Sequence, residues 1–323
     1  MLNRRHFITA AAAAPLLHVA GSWVPAWAQN APNFGTPVLP APGFRRTRVG
    51  DAEIIAVIDG IARRPLGEEF VRNAPLAEVK ALLSSQGLST DFVDIPFTPF
   101  VAVVGGRRIL MDTGLGEFGG PTTGKLMANL QAAGIQAGDI DDVIITHFHG
   151  DHINGLRNRA GAFPFTKARV HVPAPEYAFW MDDAKMNAAA AGMKGAFENV
   201  RRTFAQMPAA MLQQFVPGSD PVPGISSIAA YGHTPGHTLF QVGSGRNSFT
   251  YIGDLTNVPS LFARNPDWAV VFDMDAEAAR QTRRDMFARL VQQGGVVGGF
   301  HFPFPAFGRM VPNGKGYAFE AIA

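Results

Sequence analysis

The composition of this 323-residue chain describes a globular protein with a large apolar core. Hydrophobic residues make up 47% and charged residues 17% of the chain, which excludes wholesale disorder and a coiled coil. The chain has no cysteine, so a thiolate metal site, an iron–sulfur cluster and a cysteine nucleophile are excluded, and any metal must be held by histidine and carboxylate. Two of the 28 basic residues, Arg4 and Arg5, lie in the first 28 positions, which leaves 26 basic against 26 acidic residues; this balance predicts no nucleic-acid partner.

The first 28 residues have the three parts of an export signal. Arg4 and Arg5 form a charged start, residues 8–23 are apolar and rich in alanine, and Ala26-Trp27-Ala28 matches an A-x-A cleavage site. The arginine pair followed by Phe7 resembles a twin-arginine signal. We therefore predict a periplasmic or secreted protein without a membrane span in its mature chain, the alternative being an uncleaved anchor helix.

The mature chain is predicted to consist of an N-terminal arm over residues 29–46 and a single domain over 47–323. Apolar runs predict strands over residues 52–58, 97–104, 108–111, 143–145, 168–172, 225–231, 239–242, 248–252 and 296–300. Apolar residues at helical spacing predict helices over 76–83, 122–133, much of 175–209, and 276–293. Because the strands form two groups flanked by helices, we expect an α/β fold with two sheets packed face to face and helices outside.

A cluster of polar residues follows the apolar strand at 143–145. The segment Thr146-His147-Phe148-His149-Gly150-Asp151-His152 places three imidazoles and a carboxylate within six residues. Such a cluster is a poor core, since each buried polar group would need its own partner, but it is a good metal site. In an extended segment His147 and His149 point to the same side, so both can reach one ion. Nitrogen and oxygen ligands without thiolate suit zinc, and also manganese, iron or cobalt.

Three further ligand candidates follow later strands. They are His237 in the segment His233-Thr234-Pro235-Gly236-His237-Thr238, Asp254 after Ile252-Gly253, and His301 after the apolar residues 296–300. The HxHxDH segment, the HTPGHT segment, the Gly-Asp pair and the late histidine together resemble the metallo-β-lactamase superfamily. The resemblance covers residues 47–305 and implies a four-layer αββα sandwich of two mixed sheets flanked by helices.

The resemblance also implies a site with two divalent metal ions, most simply zinc. His147, His149 and His237 would hold one ion, Asp151, His152 and His301 the other, and Asp254 would bridge both. Asp151 and Asp254 would orient and bridge a metal-bound hydroxide that serves as the nucleophile, which makes the chain a hydrolase.

Three other polar residues need a separate interpretation. The resemblance gives Asp112, in Met111-Asp112-Thr113-Gly114, a role in orienting a ligand histidine, with simple turn capping as the alternative. His233 begins the turn that presents His237 and is expected to support it from behind. His171 lies within a strand and is expected to be a core or edge histidine rather than a ligand.

Less specific features suggest the kind of substrate. The glycine-rich residues 114–126, the helix with Trp180 and the segment 299–305 resemble the branch that contains methyl parathion hydrolase, lactonases and arylesterases. By that resemblance Phe118, Trp180 and Phe197 would line a substrate pocket, the alternative being that they are ordinary core aromatics. We expect a neutral, hydrophobic aryl ester, aryl lactone or acyl lactone as substrate, with phosphotriesterase activity as an extension. The branch also suggests a homodimer.

Three rival functions remain open on the sequence. A β-lactamase would need a basic anchor for the substrate carboxylate, and the sequence after Asp254 offers no obvious one. A thioesterase of the glyoxalase type would need a cationic cleft. A periplasmic metal-binding protein would carry the same ligands without turnover.

Overall fold

A computed structural model describes residues 33–322. The predicted twin-arginine signal over residues 1–28 lies outside the described residues, and so do the first residues of the predicted arm. The first strand starts at Phe44, within the segment predicted as the N-terminal arm.

The first sheet has seven strands. In chain order they are β1 (Phe44–Val49), β2 (Ala52–Val57), β5 (Phe100–Val104), β6 (Arg107–Met111), β7 (Asp142–Ile144), β8 (Arg169–Pro173) and β9 (Leu212–Phe215), and they neighbour one another in the same order. The pairs from β1 to β6 are antiparallel and those from β6 to β9 are parallel. The carboxyl ends of β6, β7 and β8 therefore meet at one edge of the sheet.

The second sheet has six strands. They are β10 (Ile225–Ala229), β11 (Thr238–Ser244), β12 (Asn247–Tyr251), β13 (Val296–Gly298), β14 (Phe307–Asn313) and β15 (Gly316–Ala321), again in spatial order. Only β12 and β13 are parallel, so this sheet is also mixed. A separate two-stranded sheet pairs β3 (Gly60–Pro65) with β4 (Phe92–Phe97).

The described chain also contains eight α-helices. They are α1 (Leu76–Ser85), α2 (Leu126–Ala132), α3 (Gly150–Ile153), α4 (Ala174–Trp180), α5 (Asp183–Ala188), α6 (Ala191–Phe204), α7 (Pro259–Phe262) and α8 (Ala276–Gln293). Within residues 33–322, no helix combines the length and the apolar character needed to cross a membrane.

Along the strands of the first sheet, buried apolar side chains point alternately to the two faces of the sheet, so the sheet packs against a layer on each side. On β2, Ile54 and Ala56 join the core between the two sheets, whereas Ile55 and Val57 pack outward with α2, α4 and α6. The period of two in a strand sends successive side chains to opposite faces, so one apolar run serves two cores. Burying each such Val or Ile side chain contributes ~1.5–3 kcal/mol. With Phe287 of α8 packed on the second sheet, the structure confirms the predicted four-layer αββα sandwich.

Helix α2 begins four residues later than the predicted position 122. The buried carboxylate of Asp59 accepts hydrogen bonds from the backbone N–H groups of Leu115, Gly124 and Leu126 at 2.9, 3.2 and 3.1 Å. These bonds hold residues 115–125 as a loop and supply an acceptor at the start of the helix, so the periodic pattern becomes helical only from Leu126. The hairpin of β14 and β15 was not predicted from the sequence.

Candidate metal centre

Four loops bring histidine and carboxylate side chains together between the two sheets. Residues 146–152 follow β7, residues 230–237 join β10 to β11, Asp254 lies three residues after β12, and His301 lies three residues after β13. Each loop leaves the end of a short buried strand, so the side chains are positioned by the sheets rather than by mobile segments.

The first group of ligand atoms comprises His147, His149, His233 and Asp254. His149 Nδ1 lies 3.1 Å from His147 Nε2 and 2.9 Å from His233 Nε2. His233 Nε2 also lies 3.2 Å from Asp254 Oδ2. These atoms all lie within 4.8 Å of one another, so a single ion could reach all four.

The second group comprises Asp151, His152 and His301. Asp151 Oδ2 lies 3.6 Å from His152 Nε2 and 3.4 Å from His301 Nε2. Asp254 faces this group as well, with Oδ1 3.1 Å from His152 Nε2 and Oδ2 3.1 Å from His301 Nε2. Asp254 therefore lies between the two groups, as expected for a bridging ligand.

Two buried atoms at this junction show that the residues fit a cation. Asp254 Oδ1 and His152 Nε2 are both buried, and neither makes a hydrogen bond to any residue of the described chain, although they face each other. A buried polar atom without a partner costs free energy, and a metal ion would satisfy both at once. The donor set of imidazole nitrogen and carboxylate oxygen supports a dinuclear metal site.

The structure corrects the predicted roles of His233 and His237. His237 donates from Nδ1 to the carbonyl of Ala230 at 2.9 Å, and its Nε2 accepts the backbone N–H of Asp254 at 3.0 Å. Both nitrogens of His237 are thus used, and it holds the Asp254 loop from behind. His233, which was expected to support the turn, presents its Nε2 to the first group instead. The spacing of the HTPGHT segment cannot distinguish the two, since each histidine is compatible with a turn that approaches the ion.

Asp112 orients His152, in agreement with the role that the sequence analysis gives it. Its Oδ2 accepts hydrogen bonds from His152 Nδ1 and Tyr251 Oη at 2.7 Å each and from Thr146 Oγ1 at 2.8 Å, while Oδ1 accepts the Thr146 N–H at 2.8 Å. Since Asp112 accepts the proton on Nδ1 of His152, Nε2 is the nitrogen that faces the second group.

A second buried carboxylate, Asp273, orients His233 and was missed by the sequence analysis. Asp273 Oδ1 accepts from His233 Nδ1 at 3.0 Å, and Oδ2 accepts from the buried guanidinium of Arg283 at 3.1 Å. Arg283 also donates to the carbonyls of Leu255, Pro266 and Trp268. Asp273 follows an apolar segment without any motif, so only its burial identifies it.

Glu176 ties the two histidine loops together. Its carboxylate accepts from the N–H of Phe148 at 3.0 Å, the N–H of Gly236 at 2.7 Å and Trp180 Nε1 at 2.7 Å. Gly236 is required there, because an added Cβ would lie 2.4 Å from the backbone nitrogen of Glu176. This close approach fixes the loop that carries His233 against the loop that carries His147 and His149.

Three histidines are held neutral by their surroundings. Burial, reinforced by neighbouring imidazoles, lowers the pKa of His147 and His149 well below the ordinary value. Burial and the proximity of His233 lower the pKa of His237 to about 4. A neutral imidazole keeps the lone pair that a metal requires, so His147 and His149 are ready to act as ligands.

The carboxylates have the opposite effect on the two histidines that face them. Burial lowers the pKa of His152, but the negative charge of Asp254 and its neighbours outweighs burial and places that pKa well above the ordinary value. For His233 the same opposition, with Asp254 and Asp273 as the partners, raises the pKa to about 9. Burial alone would raise the pKa of Asp254, yet the facing histidines, His301 first, hold it well below the ordinary range. Positive charge is therefore favoured at this junction.

The three aromatic residues predicted to line a pocket differ in exposure. Trp180 and Phe197 are 0% and 1% exposed, with ring centroids 4.7 Å apart, and both belong to the core outside the first sheet. This burial favours a core role for both, against the expectation that they line the pocket; Trp180 packs its edge against His149 with a centroid distance of 6.5 Å. Phe118 is half-buried, and the guanidinium carbon of Arg202 lies 3.8 Å from its ring centroid.

His171, which was expected to be a core or edge histidine, lies outside both ligand groups. Its Nε2 lies 2.8 Å from Asp142 Oδ1.

Residues 98–290 match the metallo-beta-lactamase superfamily, which is more than half of the chain. The chain therefore belongs to that superfamily, as its motifs predict, and it is a hydrolase of that class. It has no match among curated proteins.

Solved structures share this fold over most of their length. Hydrolase AbOPH of the beta-lactamase superfamily is 26% identical with a TM-score of 0.81, covering 89% of this chain and 99% of its own. AidC, a dizinc quorum-quenching lactonase, is 24% identical with a TM-score of 0.79, covering 87% and 98%. A probable metal-dependent hydrolase from Staphylococcus aureus is 22% identical with a TM-score of 0.70, covering 86% and 100%.

Proposed function

We propose that the chain hydrolyses a neutral, hydrophobic ester or lactone with two divalent metal ions, zinc in the first instance. The observation that carries this proposal is the position of Asp254, whose two oxygens face both ligand groups. When bound, divalent ions supply Lewis acidity and a water nucleophile that is activated near neutral pH. A structural site encloses one ion with ligands of its own, whereas these residues form two groups that share Asp254.

The protein's own residues would divide the remaining work. Asp254 would hold the two ions at a fixed separation, because Asp112 and Asp273 fix the histidines on either side of it. Asp151, with 21% of its side chain exposed, is the more accessible of the two carboxylates in the ligand groups and would orient the attacking water. Fixed donors and acceptors of this kind need no rearrangement during the reaction, which lowers its barrier.

An apolar cavity of about 350 Å³ lies between the 231–235 loop and the start of α8. Phe179, Tyr231, Pro235 and Met274 contribute to its lining, and no residue of the two ligand groups does. The hydrophobic substrate is therefore proposed from the sequence motifs and not from this cavity. Among proteins of the same fold, AidC is a lactonase, which adds a lactone to the substrates to be tested.

The test is a panel of substrates with metal analysis. Metal-loaded protein would be assayed on p-nitrophenyl esters, dihydrocoumarin, an acyl homoserine lactone and a p-nitrophenyl phosphotriester, the last to test the predicted phosphotriesterase activity. We expect turnover of esters or lactones, loss of that turnover in Asp254→Asn, and normal turnover in His171→Asn. Two bound ions per chain without turnover of any substrate would contradict the proposal and favour a metal-binding protein without catalysis.

We also propose export through the twin-arginine route, with residues 1–28 as the signal, and a homodimer as the mature form. Lysine at both Arg4 and Arg5 would block export if the route is correct. Arrival of that double variant in the periplasm would leave a signal peptide of the general secretory type. Light scattering of the mature protein tests the dimer.

A further inference from the structure

A side-chain hydrogen bond joins the two sheets behind the ligand groups. Tyr251 ends β12 in the second sheet, and Asp112 directly follows β6 in the first. The Tyr251 hydroxyl donates to Asp112 Oδ2 at 2.7 Å, and both residues are 0% exposed. Three residues after Tyr251 the same strand end carries Asp254, so this contact lies at the base of the loop that holds the bridging carboxylate.

The other donors to Asp112 all come from the segment that follows β7. Thr146 donates through its hydroxyl and its backbone N–H, and His152 donates through Nδ1. Among the hydrogen bonds that Asp112 accepts in the described chain, the one from Tyr251 is the bond that comes from the second sheet. Asp112 therefore connects, by hydrogen bonds, the segment that carries His152 to the strand end that carries Asp254.

The backbone of Asp112 indicates that this arrangement has a cost. Asp112 adopts a left-handed conformation with φ at +59°, which residues other than glycine rarely adopt. Its N–H donates to the carbonyl of Ile144 at 3.0 Å, and its carboxylate receives four donors. The hydrogen bonds hold the carboxylate beneath His152 in spite of the unfavourable backbone conformation.

The position of His152 Nε2 depends on these bonds. The ring of His152 is fixed at Nδ1 by Asp112, while Nε2 lies 3.1 Å from Asp254 Oδ1 and 3.6 Å from Asp151 Oδ2. Without the Tyr251 hydroxyl, Asp112 would keep its hydrogen bonds to Thr146 and His152. It would lose its hydrogen bond to the strand that leads to Asp254. His152 would then keep its hydrogen bond to Asp112 and lose its fixed distance from the bridging carboxylate.

We propose that Tyr251 is a positioning residue, whose hydroxyl, through Asp112 and His152, sets the affinity of the metal position formed by Asp151, His152 and His301. This inference rests on the proposed dinuclear function and adds a residue to it. The position formed by His147, His149 and His233 has its own support in Asp273 and Arg283. It meets Asp112 only indirectly, through the Thr146 hydroxyl 3.0 Å from His147 Nδ1, so it should depend on Tyr251 much less.

The test compares Tyr251→Phe with the unchanged protein by titrating metal-free protein with Co²⁺ and following the visible absorption. Removing a group that orients a metal ligand typically weakens metal binding about 10–100-fold. We expect one of two binding steps to weaken by about that factor and the other to change much less. The weakened step should be the one that disappears in Asp151→Asn, which removes a ligand of the same position. Co²⁺ affinity is measured without substrate, so inactivity on every substrate would count against the proposed function alone.

Two further variants keep the result interpretable. Tyr317→Phe is the matched control, because Tyr317 lies on β15 and packs on Phe287 of α8, away from the ligand groups; both binding steps should be normal. Asp112→Asn should weaken the same step as Tyr251→Phe, and it replaces the latter as the test if Tyr251→Phe does not fold. Equal weakening of both steps, or of neither, would overturn the proposal.

Discussion

His233 and His237 lie on the same loop with ring centroids 5.7 Å apart, yet they face Asp254 in different ways. The Nε2 of His233 lies 3.2 Å from the Asp254 carboxylate, whereas the Nε2 of His237 accepts the Asp254 backbone N–H. One histidine is thus available to an ion, and the other fixes the backbone of the bridging residue. The two should respond differently to the same substitution.

We expect His233→Ala to bind one ion fewer than the unchanged protein. His237→Ala should keep both ions and lose stability instead, because it leaves the Asp254 N–H and the Ala230 carbonyl without partners in a buried place. Each unsatisfied group costs ~1–3 kcal/mol. Elemental analysis of the dialysed proteins and their melting temperatures separate the two outcomes. Loss of an ion in His237→Ala with full metal content in His233→Ala would restore the assignment predicted from the sequence.

Replacing Asp254 by Ala removes the residue that faces both ligand groups. We expect the metal content to fall below two ions per chain and hydrolysis to fall by orders of magnitude. His171→Ala is the control, since His171 pairs with Asp142 away from both groups and should leave the metal content intact. Equal metal content in the unchanged protein and in Asp254→Ala would show that the carboxylate is not a shared ligand.

The sequence predicts the layers, and six of the seven residues predicted as metal ligands lie in the two groups that could hold an ion, for physical reasons. A buried strand that ends in Thr146-His147-Phe148-His149 leaves few alternatives to a metal site, because buried imidazoles need partners. The helix predicted over residues 276–293 has those same bounds in the structure, since the Asp275 carboxylate accepts the Ala278 N–H at its start and Gly294 ends it with φ at +65°.

The residues that the sequence misses act through distant contacts. Asp273 meets His233 across 40 positions and Tyr251 meets Asp112 across 139, and neither belongs to a local motif. Local spacing also fails to distinguish His233 from His237, because only the tertiary contacts show that both nitrogens of His237 are in use. The hairpin of β14 and β15 likewise takes its place from pairing with β13 rather than from its own pattern.

Metal binding should release protons from the metal-free protein. The pKa of His233 is raised to about 9, and that of His152 lies well above its ordinary value, so near neutral pH both imidazoles carry a proton that a metal ion must displace. Metal affinity is therefore expected to rise with pH up to about 9. The number of protons released should fall as the pH passes that value. Zinc titrations by calorimetry in buffers of different ionisation enthalpy measure this number, and a heat independent of the buffer near neutral pH would contradict the prediction.

The aromatic residues provide the last prediction, which concerns substrate choice. Phe118 is half-buried, whereas Trp180 is fully buried and donates to Glu176. Phe118→Ala is therefore expected to weaken contact with the substrate. The loss in transition-state binding free energy should be about 1–3 kcal/mol, from apolar area and ring contacts. That corresponds to roughly one to two powers of ten in kcat/KM, large for aryl esters and small for short alkyl esters.

Trp180→Ala should behave as a core truncation, with a loss of ~3–5 kcal/mol in stability and a similar decrease of activity on every substrate. The measurement assays both variants on paired aryl and alkyl esters and records their melting temperatures. Phe165→Ala, which truncates another buried ring of the same core, serves as the control. A selective loss on aryl substrates in Trp180→Ala, with an unchanged melting temperature, would return Trp180 to the pocket that the sequence predicts, because only a residue in contact with the substrate can discriminate between leaving groups without altering the fold.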